Sequence, residues 1–108
     1  MRNSILTSLF VTLLACGNAV AQQGRDWDAV ALTIYPVAGS VYYLEGTGGN
    51  IGLSVGEDGI VMIDDQFAPL TERILATIAE LDDGEIRFLI NTHVHPDHTG
   101  GNENLGKM

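Results

Sequence analysis

All three histidines of this 108-residue chain fall in one short run, His93-Val94-His95-Pro96-Asp97-His98-Thr99-Gly100. The run begins just after an apolar stretch, Ile86-Arg87-Phe88-Leu89-Ile90, which reads as a buried strand. The fold must therefore bring the end of a strand to a place where clustered imidazoles can act, and strand ends are where α/β proteins place their chemistry. Imidazole and carboxylate are the side chains that bind zinc and related divalent ions at neutral pH. In an extended segment, residues i and i+2 point the same way, so His93 and His95 can face one ion. Pro96 fixes its own φ and biases His95 away from helix, so the chain turns there. Asp97 and His98 then leave in another direction and can reach a second ion, or the same ion from another side. The competing reading is a polar loop with incidental histidines that binds metal adventitiously. Strand, spacing and proline agree with one another and favour the metal loop.

The rest of the chain supplies the frame. Val30-Ala31-Leu32-Thr33-Ile34-Tyr35, Val41-Tyr42-Tyr43-Leu44, Asn50-Ile51-Gly52-Leu53-Ser54-Val55 and Ile60-Val61-Met62-Ile63 are strand candidates separated by short glycine-bearing turns, the pattern of an antiparallel meander. Gly46-Thr47-Gly48-Gly49 lacks the spacing of a phosphate loop and is read as a turn. From Pro69 to Leu81 the period changes: Leu70, Ile74, Leu75, Ile78 and Leu81 recur three or four residues apart, one face of an amphipathic helix. Pro69 suits its first turn, and Gly84 is placed to take a left-handed cap at its end. Tyr42 and Tyr43 alternate in their strand, one toward the core and one toward the surface. Trp27 is read as packing, and Asp65 as a turn residue. No internal repeat is visible.

The pattern His93-x-His95-x-Asp97-His98, flanked by Asn91-Thr92 and Thr99-Gly100-Gly101-Asn102, resembles the signature of the metallo-β-lactamase-fold hydrolases. Gly59-Ile60-Val61-Met62-Ile63-Asp64 is similar to that family's first motif. The resemblance implies an α/β (α+β) fold, the N-terminal half of an αββα sandwich in which antiparallel strands are followed by a helix, a strand and the metal-binding loop. It implies one or two zinc ions, with His93 and His95 on the first and Asp97 and His98 on the second. Asp97 would also orient the attacking water, and Asp64 would brace the loop by hydrogen bonding. Hydroxide generated at the metal would attack a lactam, thioester or ester carbonyl of a small-molecule substrate. In the family, further ligands come from downstream: another histidine, a bridging aspartate and a last histidine. No histidine follows His98 and no aspartate follows Asp97 in this sequence. Residues 30–108 are therefore expected to be an incomplete domain, a truncated portion that is inactive by itself.

The N-terminus carries a different signal. Met1-Arg2-Asn3, an apolar run from Ile5 to Ala15, and Ala19-Val20-Ala21 form the pattern of a secretory signal peptide over residues 1–21, with cleavage after Ala21. The run is too short to span a membrane. Leu13-Leu14-Ala15-Cys16 offers an alternative, a lipid anchor at Cys16. Either way the protein is periplasmic or secreted. Residues 22–29 form a loose polar lead-in. All 14 acidic residues lie after Ala21, and the whole chain has a formal charge of −9. Such a surface repels phosphate backbones and argues against a nucleic-acid partner. Two alternatives to an exported hydrolase remain at this level: an iron-dependent oxidoreductase on the same fold, and a non-catalytic metal-binding fragment.

Overall fold

Short turns dictate the first half of the molecule. The computed structural model describes residues 24–108. Within it β1 (Thr33–Ala38), β2 (Val41–Glu45), β3 (Ile51–Gly56) and β4 (Gly59–Ile63) run antiparallel in sequence order. The β1–β2 turn relies on Gly39, whose φ of +55° is a left-handed conformation that a residue with a Cβ adopts reluctantly. The Gly-bearing turns thus produce the meander expected from them. The first strand starts three residues later than the apolar pattern suggests, because Val30 is still in a turn, its N–H donating to the Trp27 carbonyl.

After β4 the chain makes a 3-10 turn over Ala68–Leu70 and the helix α1, Thr71–Leu81. It then returns as β5 (Ile86–Ile90), which lies parallel to β4 and completes a mixed sheet of order β1-β2-β3-β4-β5. A parallel neighbour requires a crossover, and α1 is that crossover. Its apolar stripe supplies Leu70, Ile74 and Ile78, all buried, against Leu44, Ile51, Leu53, Ile60 and Met62 from the sheet. Full burial of each such side chain stabilises by ~1.5–3 kcal/mol, and this cluster is the core. The helix does not end on a left-handed Gly84. Asp82 turns extended (φ −157°, ψ 134°), its N–H still bonds the Ile78 carbonyl at 2.9 Å, and its Oδ1 accepts the Gly84 N–H at 2.7 Å. A carboxylate turn thus replaces the expected glycine cap.

The described part of the lead-in, residues 24–29, is anchored rather than loose. Arg73 of α1 donates to the carbonyls of Trp27 (2.6 Å) and Val30 (2.7 Å), and Trp27 packs against Phe67, ring centroids 5.2 Å apart. The expected signal peptide over residues 1–21 and the alternative anchor at Cys16 lie outside the described residues. Among the described residues no helix is long and apolar enough to cross a membrane.

A register irregularity in β5 settles which way its side chains face. Ile60 pairs with Ile86 but Val61 pairs with Phe88, so Arg87 is an extra residue, and its guanidinium reaches the Asp58 carbonyl at 3.1 Å. Ile86 and Leu89 consequently both face the core, while Phe88 and Ile90 stay 61% and 53% exposed on the opposite face. That face also carries Tyr35, Tyr43, Gly52 and Ile63, aligned with Ile90 in one cross-strand row. Tyr35 and Tyr43 stack there with centroids 5.0 Å apart, whereas Tyr42 packs toward the core. Helix α1 covers one side of the sheet only.

Candidate metal centre

The parallel pair β4–β5 delivers two chain ends side by side. Beyond β4 come Asp64, Asp65 and Gln66, all buried. Beyond β5 come Asn91, Thr92 and the histidine run, which passes through bends into two short helices, α2 (Pro96–Thr99) and α3 (Asn102–Leu105). The loop folds back on the β4 end. The Asp64 N–H bonds the Ile90 carbonyl (2.8 Å), the Asp65 N–H bonds the His98 carbonyl (3.1 Å), and the Gly101 N–H bonds Asp65 Oδ1 (2.9 Å). Gly100 lies so close to this backbone that a Cβ there would stand 2.6 Å from the Gln66 carbonyl oxygen. Asn91 and Asn102 tie the loop's two ends: Asn91 Nδ2 donates to the His98 carbonyl, and Asn102 Nδ2 donates to Asn91 Oδ1.

The Asp64 carboxylate organises the loop. Oδ1 accepts the Thr92 N–H at 2.7 Å, and Oδ2 accepts the Thr92 hydroxyl at 2.7 Å and His98 Nδ1 at 2.7 Å. Burial pushes the Asp64 carboxyl upward, but the hydrogen bonds from His98 and Thr92 and the nearby His98 charge outweigh it, and the group lies below its ordinary 3.8. The same network assigns protons to the rings. In its neutral form His98 carries its proton on Nδ1, facing Asp64, which leaves Nε2 as the lone pair. The Thr92 hydroxyl is spent on Asp64, so Thr92 Oγ1 accepts from His93 Nδ1 at 2.9 Å, which leaves His93 Nε2 bare as well.

The four donors stand as two pairs. His93 Nε2 and His95 Nδ1 are 3.0 Å apart, and His98 Nε2 and Asp97 Oδ2 are 3.5 Å apart. The His93 and His98 rings approach to 4.0 Å between centroids, so the two pairs are neighbours. The backbone at His93 and His95 bends instead of running extended, and their rings meet edge to face. Among the described residues no three His, Cys, Asp or Glu side chains already form a cage that would hold a metal ion. The chemistry of the donor set nonetheless fits a zinc-type ion. Two nitrogens on one tetrahedral zinc are ~3.4 Å apart, and the two pairs stand at 3.0 and 3.5 Å. A bare Nε2 facing a carboxylate oxygen is two acceptors in opposition, an arrangement that a cation or a shared proton relieves.

Some residues at this site carry no sequence signal that was read. Asp65 is not an ordinary turn residue: it is 1% exposed, and its Oδ2 has no hydrogen-bond partner. Burial, with a smaller contribution from the Asp64 charge, raises its carboxyl above 3.8 against the lowering effect of the Gly101 N–H. Gln66, fully buried at φ +57°, donates to the Gly49 carbonyl at 2.6 Å and so pins the Gly46–Gly49 turn to the β4 end. That turn is also a wall of the site. A Cβ on Gly48 would stand 2.6 Å from Asp97 Cβ, and one on Gly49 would overlap the His98 ring. Three polar residues in a row directly after an apolar strand were the available signal.

The sequence profile of the metallo-beta-lactamase superfamily matches residues 34–107. The chain belongs to the metallo-β-lactamase superfamily. Its solved structural relatives include BJP-1, a subclass B3 metallo-β-lactamase of Bradyrhizobium japonicum. That relative is 27% identical, with a TM-score of 0.60 over 68% of this chain and 29% of that one. A β-lactamase from Chitinophaga pinensis is 23% identical, with a TM-score of 0.66 over 95% of this chain and 35% of that one. The di-zinc class B3 enzyme LRA-12 from an Alaskan soil metagenome is 22% identical, with a TM-score of 0.64 over 76% and 31%. The α/β fold expected from the sequence is therefore that of these metallo-β-lactamases, and the chain spans about a third of their length. No curated protein matches it significantly.

Proposed function

We propose that this chain carries the first metal-binding half of an exported metal-dependent hydrolase acting on a lactam, thioester or ester carbonyl of a small molecule. The observation that carries the reading is the pair of pairs, His93 with His95 and Asp97 with His98, around rings whose bare nitrogens are set by Asp64. His93 and His95 would hold one ion, and Asp97 and His98 a second. Zinc bound there supplies a Lewis acid for a carbonyl and lowers the pKa of water toward neutrality. Asp97, half-exposed beside His98, is the base that accepts a proton from an attacking water and orients it. Asp64 keeps the proton of neutral His98 on Nδ1 and, through Thr92, that of His93 on Nδ1, so each Nε2 presents a lone pair; His93 Nε2 faces His95 Nδ1 at 3.0 Å, and an ion shared by that pair would displace the proton between them. Export rests on the pattern of residues 1–21.

A chain that spans about a third of its structural relatives supports a binding site rather than turnover for the 108 residues alone. The chain is expected to bind zinc with an affinity that falls at least about tenfold in H93A/H95A, and to leave a chromogenic lactam or thioester intact. Equilibrium dialysis with metal analysis checks the first statement. Unchanged zinc content in the double variant would remove the metal centre, turnover by the chain alone would remove its status as a partial site, and native iron with oxygen consumption by the natural gene product would replace hydrolysis with redox chemistry.

A further inference from the structure

We propose that Arg25, Trp27 and Phe67 form a recognition subsite beside the histidine loop for a small molecule that bears a carboxylate next to a flat apolar group. The chain has five basic residues against 14 acidic ones. Arg73 is committed to the Trp27 and Val30 carbonyls, Arg87 to the Asp58 carbonyl and Lys107 to Glu103. Arg25 donates to the Thr47 hydroxyl at 2.8 Å and, among the described residues, meets no carboxylate. No acidic residue precedes Asp26 in the sequence either.

The guanidinium is held in place without being neutralised. Its carbon lies 5.3 Å from the ring centroids of both Trp27 and Phe67. Cation–π contact with the two rings and the Nη1 bond to Thr47 pre-orient the planar fork, while its other N–H groups meet no partner among the described residues, and a guanidinium fork matches a carboxylate. The rings beside it offer apolar surface for the group attached to the carboxylate. In a molecule whose overall field repels anions, a fixed local cation decides where an anion settles.

The subsite and the histidine loop share a wall. Thr47, which holds Arg25, precedes Gly48 and Gly49. Gly48 abuts both Phe67 and Asp97: a Cβ there would stand 3.2 Å from Phe67 Cε2 and 2.6 Å from Asp97 Cβ. Gly49 abuts the His98 ring. Calling the ligand a substrate rests on the hydrolase reading above; the binding itself does not.

Trp27 is the chain's one tryptophan, so its fluorescence reports the subsite directly. The test titrates the 108-residue chain with 4-nitrobenzoate and with its neutral isostere 4-nitrobenzamide, both quenchers of indole, in EDTA and again with zinc. In EDTA the benzoate is expected to bind about tenfold tighter than the amide, the effect of one charge-assisted pair. R25Q should abolish that preference and R87Q should keep it. Equal affinities, a preference that survives R25Q, or a preference that appears only with zinc would overturn the subsite. Zinc content, measured on the same samples, reports the metal loop independently.

Discussion

Asp64 and Asp65 are adjacent carboxylates with opposite electrostatic fates, set by burial and by the number of hydrogen bonds each receives. Asp64 receives three hydrogen bonds, its carboxyl is held below 3.8, and it stabilises the fold at all higher pH, losing that contribution only as acid protonates it. Asp65 receives one, keeps an orphan oxygen, and is raised above 3.8. For a raised carboxyl the sign reverses. Below 3.8 both folded and unfolded forms are protonated and there is no penalty; as pH rises toward the folded value the unfolded state ionises first and stability falls, then levels off. In the metal-free chain, D65N is therefore expected to flatten the decline in stability between about pH 4 and neutrality, because the amide can keep the Gly101 bond and carries no charge. Urea denaturation at a series of pH values reads this directly, and a D65N profile parallel to the parent would refute the buried-charge account. The histidines were legible because metal chemistry restricts residue type and spacing, and Asp64 because the Gly59–Asp64 segment resembles a family motif. Asp65 and Gln66 show only as polar residues directly after an apolar strand; what buries Asp65 is a loop more than 30 residues downstream, and what holds the Gln66 side chain is the Gly46–Gly49 turn upstream, neither of which a local pattern encodes.

The elements that sequence reads well are those fixed by neighbours. The meander, α1 and β5 follow from glycine turns and from a change of period, and they stand close to where those signals put them. The failures are non-local: the bend of the histidine run, the Arg73 clamp on the lead-in, and the second use of the Gly46–Gly49 turn. That turn looked like connection alone, yet it is pressed against Asp97 and His98, and Gln66 holds it there. The space it leaves is the width of a missing Cβ. Ala at position 49 must displace the turn or rotate the imidazole off Asp64. G49A is expected to lower zinc affinity by about tenfold, the scale on which outer contacts tune a metal ligand, with far-ultraviolet circular dichroism unchanged. The same affinity in G49A and parent would show that the turn merely passes by the loop.

At the scale of the whole molecule, the described residues cover the sheet on one side and leave the other bare. Helix α1 seals Leu44, Ile51, Leu53, Ile60 and Met62, whereas Tyr35, Val41, Ile63, Phe88 and Ile90 each expose more than a third of their surface. β-Sheets that carry apolar residues on both faces are built to be covered on both, as in a layered α/β sandwich. Sequence periodicity showed that the strands were apolar but not which side α1 would take, because the irregularity at Arg87 reverses the expected alternation in β5. The bare side adds little to the stability of the described residues while making the chain prone to self-association. These two consequences can be separated. Replacing Phe88 and Ile90 by lysine leaves the α1 core untouched and adds positive charge at the sheet edge, a device that discourages edge and face pairing. F88K/I90K is expected to change the stability of the chain by no more than about 1 kcal/mol, the range of exposed substitutions, and to lower its association in sedimentation velocity. I74A, which opens the sealed side at a residue 1% exposed, should instead cost ~2–5 kcal/mol. Equal losses in the two variants would mean that the bare face is already packed in solution and that the two sides of the sheet are energetically alike.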